Sequence, residues 1–150
     1  MYHKFVGKRS EKVINWVERG AVRKFAEAIG DVRPIYFDPV YASKTRYGKC
    51  LAPPTFPRTF QYGQIEQLEL PSSGLIHGEQ IFHYKRPLFV GEEIHCYAEV
   101  ESYSEKKGSS GNIGLLILKN VGEDPDGELI YTEKLVVIIT EALLKEETDK

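Results

Sequence analysis

The sequence predicts one α+β domain: helices early in the chain, then an antiparallel sheet that curls around a central helix. Two observations carry this prediction. Before residue 50 the apolar residues recur at helical spacing, and after the turn-forming cluster Pro71-Ser72-Ser73-Gly74 they alternate or run continuously over strand-length stretches. Helices followed by consecutive hairpin-linked strands form a layered α+β fold. At 150 residues the chain can bury a sizeable core without disulfide or metal staples.

The first helix is expected over about Ala21 to Ile29, where Val22, Phe25, Ala26 and Ile29 line one face and Gly20 and Gly30 bracket it. Asp38 before Pro39 has the chemistry of a helix cap, so a short helix should run from Val40 to about Thr45 and stop at Gly48. Pro53, Pro54 and Pro57 force Lys49 to Pro57 to be an extended loop. A second, more polar helix is expected over about Arg58 to Leu68, with Phe60, Gly63 and Gln64 on one face and Tyr62, Ile65 and Glu66 on another.

Glu79 to Tyr84, closed by Arg86-Pro87, should be a strand, and Val90 to Glu93 a turn. From Ile94 the apolar Ile94, Cys96, Ala98 and Val100 alternate with His95, Tyr97, Glu99 and Glu101, the period of a strand with one wetter face. Leu115 to Val121 and Leu129 to Thr140 are branched apolar runs suited to central strands. Loops Lys106 to Asn112 and Gly122 to Gly127 separate them. The charged tail Lys145 to Lys150 is expected to fray.

Composition removes several classes of function. Twenty basic and 22 acidic residues are mixed along the chain, giving a net charge of -2, so no nucleic-acid partner is expected. Cys50 and Cys96 are far apart and lack any metal-ligand spacing, so no metal and no disulfide framework is expected, and a reducing cytoplasm is the expected location. No apolar stretch approaches the roughly 18 residues of a membrane span, and the first residues lack a signal-peptide core. No cofactor is expected.

Four segments together carry a family resemblance: FAEAIGDVRPIYFDPVYA from Phe25, GKCLAPPTF from Gly48, HGEQIFHYKRPLFVGEEI from His77 and LIYTEKLVVII from Leu129. In order and spacing, over about residues 17 to 140, the chain resembles the MaoC-like dehydratases, and in particular their FAS1-like N-terminal type of domain. The resemblance implies a hot-dog fold, an acyl-CoA or acyl-carrier thioester as ligand, and either a homodimer or a heterodimer with a catalytic hot-dog subunit.

In active members, the resemblance implies, an aspartate and a histidine five residues later remove water from a (3R)-hydroxyacyl thioester. Imidazole suits this work because it titrates near working pH. Here Asp31 matches the aspartate and Tyr36 stands at the histidine position. A phenol has a pKa of about 10, so a base near neutral pH would need about three units of downward shift, roughly 4 kcal/mol.

The active members also polarise the thioester carbonyl with a backbone N-H. Matching that context to Leu51-Ala52-Pro53-Pro54 puts Pro54, which has no N-H, at the donor; a shift of one residue puts Thr55 there instead. Losing such a donor costs about 3 kcal/mol of transition-state stabilisation. Leu51, Ala52, Pro54, Thr55 and Phe56 are thus the expected substrate-binding segment. The two departures resemble the acyl-binding, histidine-free subunit of heterodimeric hydroxyacyl dehydratases.

Plainer roles compete for these residues. Asp31 follows a helix-ending glycine, where aspartate serves turns, and Tyr36 also suits a core aromatic. His77, beside Gly78 and Glu79, is the alternative source of an imidazole, and Glu66 is the alternative acid of a hot-dog thioesterase; either would make the chain a self-sufficient enzyme. His83 and His95 sit within strands. Lys44, Arg46 and Lys49 form a basic loop able to meet phosphate. A non-enzymatic module that shelters an acyl thioester or scaffolds a complex is the third alternative.

Overall fold

Five antiparallel strands account for most of the long-range order. The structure, a computed structural model, describes residues 1–148. The strands are β1 (Val13–Trp16), β2 (Leu75–Tyr84), β3 (Glu93–Gly108), β4 (Gly111–Glu123) and β5 (Leu129–Ile139), and they pair in the order β1-β3-β4-β5-β2. Among the described residues three α-helices accompany them: α1 (Arg19–Ala28), α2 (Pro39–Ser43) and α3 (Glu141–Thr148).

Register assigns the faces. Asn120 pairs with Glu133, which pairs with Phe82; Leu118 with Leu135 and Gln80; Gly122 with Tyr131 and Tyr84. Paired residues point the same way, so these side chains share the inner face. The opposite face carries Ile117 and Val136, Leu115 and Ile138, with Ile76 and Ile81 exposed on β2. A register shift between His77 and Glu79 accommodates Gly78 as a bulge.

The inner face has two apolar clusters. In the first, Val22 and Ala26 of α1 meet Tyr36, Ala52, Phe56, Phe60, Leu88, Ile94, Cys96, Ile130 and Tyr131. Phe56 stands edge-on to both Phe25 and Phe60, with ring centroids 5.6 and 5.4 Å apart. In the second, Tyr2 and Phe5 from the N-terminal turn pack on Val100, Tyr103, Leu116 and Ile139, with Leu143 and Leu144 of α3 beside them.

Several elements differ from expectation. The largest difference is Arg58 to Leu68, expected to be helical: a 3-10 turn ends at Thr59, Phe60 is extended, and residues 61–70 are irregular. The backbone there is held from elsewhere. Asn15 grips Gln61 on both sides, its Nδ2 donating to the carbonyl at 2.8 Å and its Oδ1 accepting from the N-H at 3.0 Å, while Ser10 donates to the carbonyl of Tyr62. Gly63 and Gln67 then adopt left-handed φ angles of 76° and 61°, which no right-handed helix accepts. In place of a helix the segment 63–70 walls a groove of about 780 Å³ over Ala98, Leu118 and Asn120.

The remaining differences are smaller. Gly20 lies inside α1, whereas Gly30 ends it at φ 73° as expected. Strands β3 and β4 run to Gly108 and from Gly111, leaving only Ser109-Ser110 as the turn of a loop expected to span Lys106 to Asn112. β2 begins at Leu75 rather than Glu79, and β1 was not expected. The tail expected to fray from Lys145 is helical through Thr148, where Lys145 pairs with Glu141 at 3.4 Å; the last two residues lie outside those described. Among the described residues no helix is long and apolar enough to cross a membrane.

Candidate active site

Asp31 and Tyr36 are brought together by two short-range devices. After Gly30 turns the chain, the Asp31 N-H closes on the carbonyl of Ala26 at 2.9 Å, and Pro34 starts a 3-10 turn that ends at Tyr36. Asp38 then caps α2 as expected, its Oδ1 accepting from the N-H of Val40 at 2.9 Å and of Tyr41 at 3.2 Å.

Between Asp31 and Tyr36 stands Arg33, which the sequence did not single out. Its Nε and Nη2 donate to the two carboxylate oxygens of Asp31 at 2.8 and 2.7 Å, and Nη2 also lies 3.2 Å from the Tyr36 hydroxyl. A bidentate guanidinium takes one lone pair of each carboxylate oxygen and favours the ionised form. It holds the Asp31 carboxyl below the usual carboxylate range. Tyr36, 5 % exposed, is driven the other way: burial first, and then the Asp31 charge, raise its pKa above that of an ordinary phenol. Asp31 is thus a weaker base than a free carboxylate, and Tyr36 keeps its proton near neutral pH.

The segment expected to hold the substrate lies against this pair. Leu51 N-H donates to the carbonyl of Ile35 at 3.1 Å and Ala52 N-H to that of Leu88 at 2.9 Å, so residues 51–52 are stitched between the Tyr36 turn and Leu88-Phe89. Tyr36, Ala52 and Phe56 share one apolar cluster. Beyond Ala52, Pro54 and Thr55 are exposed, and Tyr84 donates its hydroxyl to the Pro54 carbonyl at 2.6 Å. Thr55 N-H donates to no acceptor among the described residues, so the carbonyl-polarising role is open to Thr55 and closed to Pro54. A recess of about 340 Å³ opens here between Ala52, Pro54, Tyr84 and Arg86. A second, of about 270 Å³, has Arg19 and Lys49 on its wall.

The other imidazoles and acids lie elsewhere. His77 is exposed on β2 opposite Val137, and Tyr84 lies opposite Tyr131, six residues along β5, which at strand rise is about 20 Å. His83 pairs with Thr132 on the outer face, and His95 lies 3.3 Å from Glu93. Glu66 is exposed on the wall of the groove. The structure therefore brings Asp31, Tyr36 and the 51–56 segment together and leaves His77 and Glu66 apart. Among the described residues no cluster of metal ligands is found.

A buried polar cluster on the inner face also escaped sequence analysis. Glu133, 0 % exposed, accepts from Arg58 at 3.0 Å, from Gln80 at 2.6 Å and from Asn120 at 3.3 Å. Beside it the hydroxyls of Tyr62 and Tyr131 lie 2.7 Å apart, and Cys96 Sγ is 3.6 Å from Tyr131, its thiol pushed up to about 11 by burial. The signal available in the sequence was a lone glutamate inside the apolar run Leu129 to Thr140.

Comparison with known proteins agrees with this architecture. Residues 4–133 match the FAS1-like, dehydratase domain region family. A UPF0336 protein of Thermobifida fusca (strain YX) is 33% identical over 129 residues, covering 82% of each chain. Among solved structures, the C-terminally truncated HadBC (3R-hydroxyacyl-ACP dehydratase) complex from Mycobacterium tuberculosis superposes with a TM-score of 0.71 at 20% identity, over 89% of this chain and 96% of that one. The ChsH1-ChsH2 complex from the same organism gives 0.72 at 20% identity, over 87% and 83%. These structural likenesses establish the hot-dog fold.

Proposed function

We propose, from the premise that this chain belongs to the FAS1-like dehydratase-domain family of MaoC-like hot-dog proteins, that it is the acyl-thioester-binding subunit of a (3R)-hydroxyacyl dehydratase and draws its catalytic Asp/His pair from a partner. One observation carries the proposal: Arg33 clamps Asp31 and touches the Tyr36 hydroxyl, so the position that should move protons is tied up in an ion pair. The elimination needs a group that accepts the α-proton and one that protonates the leaving hydroxyl. A lowered carboxyl is a weak base for the first task, and a phenol with a raised pKa a weak acid for the second.

What remains suits binding. Leu51, Ala52, Pro54, Thr55 and Phe56 form the thioester-facing segment, with Thr55 N-H as the free donor for a carbonyl oxygen. Arg19 and Lys49 supply positive charge at the neighbouring recess, where the phosphates of coenzyme A or a carrier's prosthetic arm would sit. The partner's place is the free edge of β2. Ten residues long, it pairs with β5 on one side and with no strand on the other among the described residues, and such an edge calls for cover. The partner is a second hot-dog subunit, a different chain carrying the Asp/His pair or, with altered activity, a copy of this one. Two free cysteines suit a reducing cytoplasm.

The test is an assay of crotonyl-CoA hydration with the chain alone and after co-expression with an Asp/His-bearing hot-dog subunit. Background turnover alone and restored turnover in the complex support the proposal; ordinary turnover by the isolated chain overturns it. His77→Ala and Glu66→Ala address the self-sufficient alternative, since loss of activity in either would move the chemistry to that residue.

A further inference from the structure

The stretch from the end of α1 through α2 leaves large apolar side chains in water. Ile29, Val32, Val40 and Tyr41 are each 48 % exposed or more, beside the turn that sends Tyr36 into the core. On α2 the buried residue is Ala42, so Val40 and Tyr41 turn outward together, and Lys44, four and three residues on, follows them on the same side. Apolar surface gathered in this way next to a site marks a contact.

Charge of one sign surrounds this face. From Glu18 to Lys49 the chain carries seven basic and four acidic residues, a net +3 in a protein of net -2. Two of the four acids are occupied, Asp31 by Arg33 and Asp38 by the N-H groups of Val40 and Tyr41; Glu18 and Glu27 are exposed. Arg19 and Arg23, one turn apart on α1, lie beside α2: Arg23 is 5.9 Å from the centre of the Phe37 ring, and Arg19 shares a recess with Pro39, the first residue of α2.

That recess narrows what can pass from this face to the site. Its volume of about 270 Å³ falls below the usual range of small-molecule pockets, and among the described residues no aromatic ring lines it on which an adenine could stack. Arg19 and Lys49 suffice for one phosphate. Cys50 on the wall is two residues from Ala52, about 7 Å at extended rise, so an arm leaving that phosphate reaches the thioester-facing segment. A phosphodiester arm hung on a protein meets these conditions. A free nucleotide thioester leaves its base and its other phosphates without a seat, and Val40 and Tyr41 uncovered.

The geometry points to this face as the docking surface of an acidic carrier protein. An acidic helix of the carrier lies over Val40 and Tyr41 between Arg23 and Lys44, and its phosphopantetheine arm enters the recess between Arg19 and Lys49. The inference rests on the acyl-thioester proposal for the cargo on that arm, and on apolar exposure and charge for the docking itself.

Four probes test it by calorimetric titration of the full chain: a bacterial acyl carrier protein with a crotonyl-pantetheine arm, the same carrier with an unloaded arm, crotonyl-CoA, and crotonyl-pantetheine without phosphate. The loaded carrier is expected to bind roughly tenfold more tightly than crotonyl-pantetheine at low salt and to lose that margin as salt is raised. Arg23→Glu combined with Lys44→Glu, both exposed and outside the thioester-facing segment, should remove the margin and leave crotonyl-pantetheine binding unchanged. Val40→Ser changes no charge and should weaken the carrier alone, by roughly threefold. A carrier that binds no better than crotonyl-pantetheine, or that is indifferent to these substitutions, overturns the inference and leaves the thioester proposal standing. Crotonyl-CoA binding more tightly than the loaded carrier also overturns it, since the recess then belongs to a nucleotide. If the unloaded carrier binds with the same charge dependence while neither small thioester binds, the docking face stands and the thioester proposal falls.

Discussion

The two halves of the inner sheet face solve the same burial problem in different ways. Over β3 and β5 near α1, aromatic rings and helix side chains close on the sheet, and Phe56, Ile94, Ile130 and Tyr131 are almost wholly buried. Toward the middle, where a helix was expected, an irregular segment stands off and leaves a groove over Leu118 and Asn120. A helix covers a sheet with its own hydrogen bonds satisfied; an irregular segment needs outside partners for its backbone, here Asn15 and Ser10. The difference teaches that a groove opens where local hydrogen bonding gives way to long-range polar anchors.

That contrast can be broken most severely in the packed half. Phe56→Ala should lower stability by about 4 kcal/mol in urea or thermal unfolding, because a fully buried ring leaves a cavity among rings that cannot collapse. Next comes the polar anchor beneath the groove. Glu133→Ala leaves Arg58, Gln80 and Asn120 short of an acceptor and should cost about 3 kcal/mol, the 45 % exposure of the Arg58 side chain keeping it below a fully buried pair.

Gly63→Ala should cost about 2 kcal/mol, since φ is 76° and a Cβ would lie 2.8 Å from the carbonyl oxygen of Glu11. Leu68→Ala, in the groove wall, should cost less than about 1 kcal/mol in the same unfolding experiment. A loss there equal to that at Phe56 would mean the two halves are packed alike.

The smallest effect is electrostatic and sharpens the contrast at the site. Asp31 should titrate below the ordinary carboxylate value in NMR-monitored pH titration, and Arg33→Ala should return it toward that value. Because the folded-state pKa is lowered, the stability it contributes is present above the ordinary carboxylate pKa and is lost as pH falls through the lowered one. An unchanged Asp31 titration in the variant would show that Arg33 does not clamp it.

Most of the architecture was legible because it is local. The α1 face, the Asp38 cap, the Gly30 stop and the alternation from Ile94 rest on interactions within a few residues, and each formed with small boundary differences. Asp31 and Tyr36 were legible as a pair for the same reason. Arg33 went unnoticed because the sequence does not tell a bidentate clamp from a solvated arginine. Residues 58–68 were misjudged because the partners that unwind them, Asn15 and Ser10, lie 46 and 52 residues away.

The sequence by itself determined the α+β class and the family, since these follow from residue type and near-neighbour order. Only the tertiary structure decided that Asp31 is neutralised, that the expected second helix is absent, and that Glu133 gathers three donors beneath an open groove. The Glu133 cluster and the irregular 61–70 segment depend on groups brought together by sheet register and chain crossing, whereas the Arg33 clamp is local but rests on side-chain geometry that residue type does not specify.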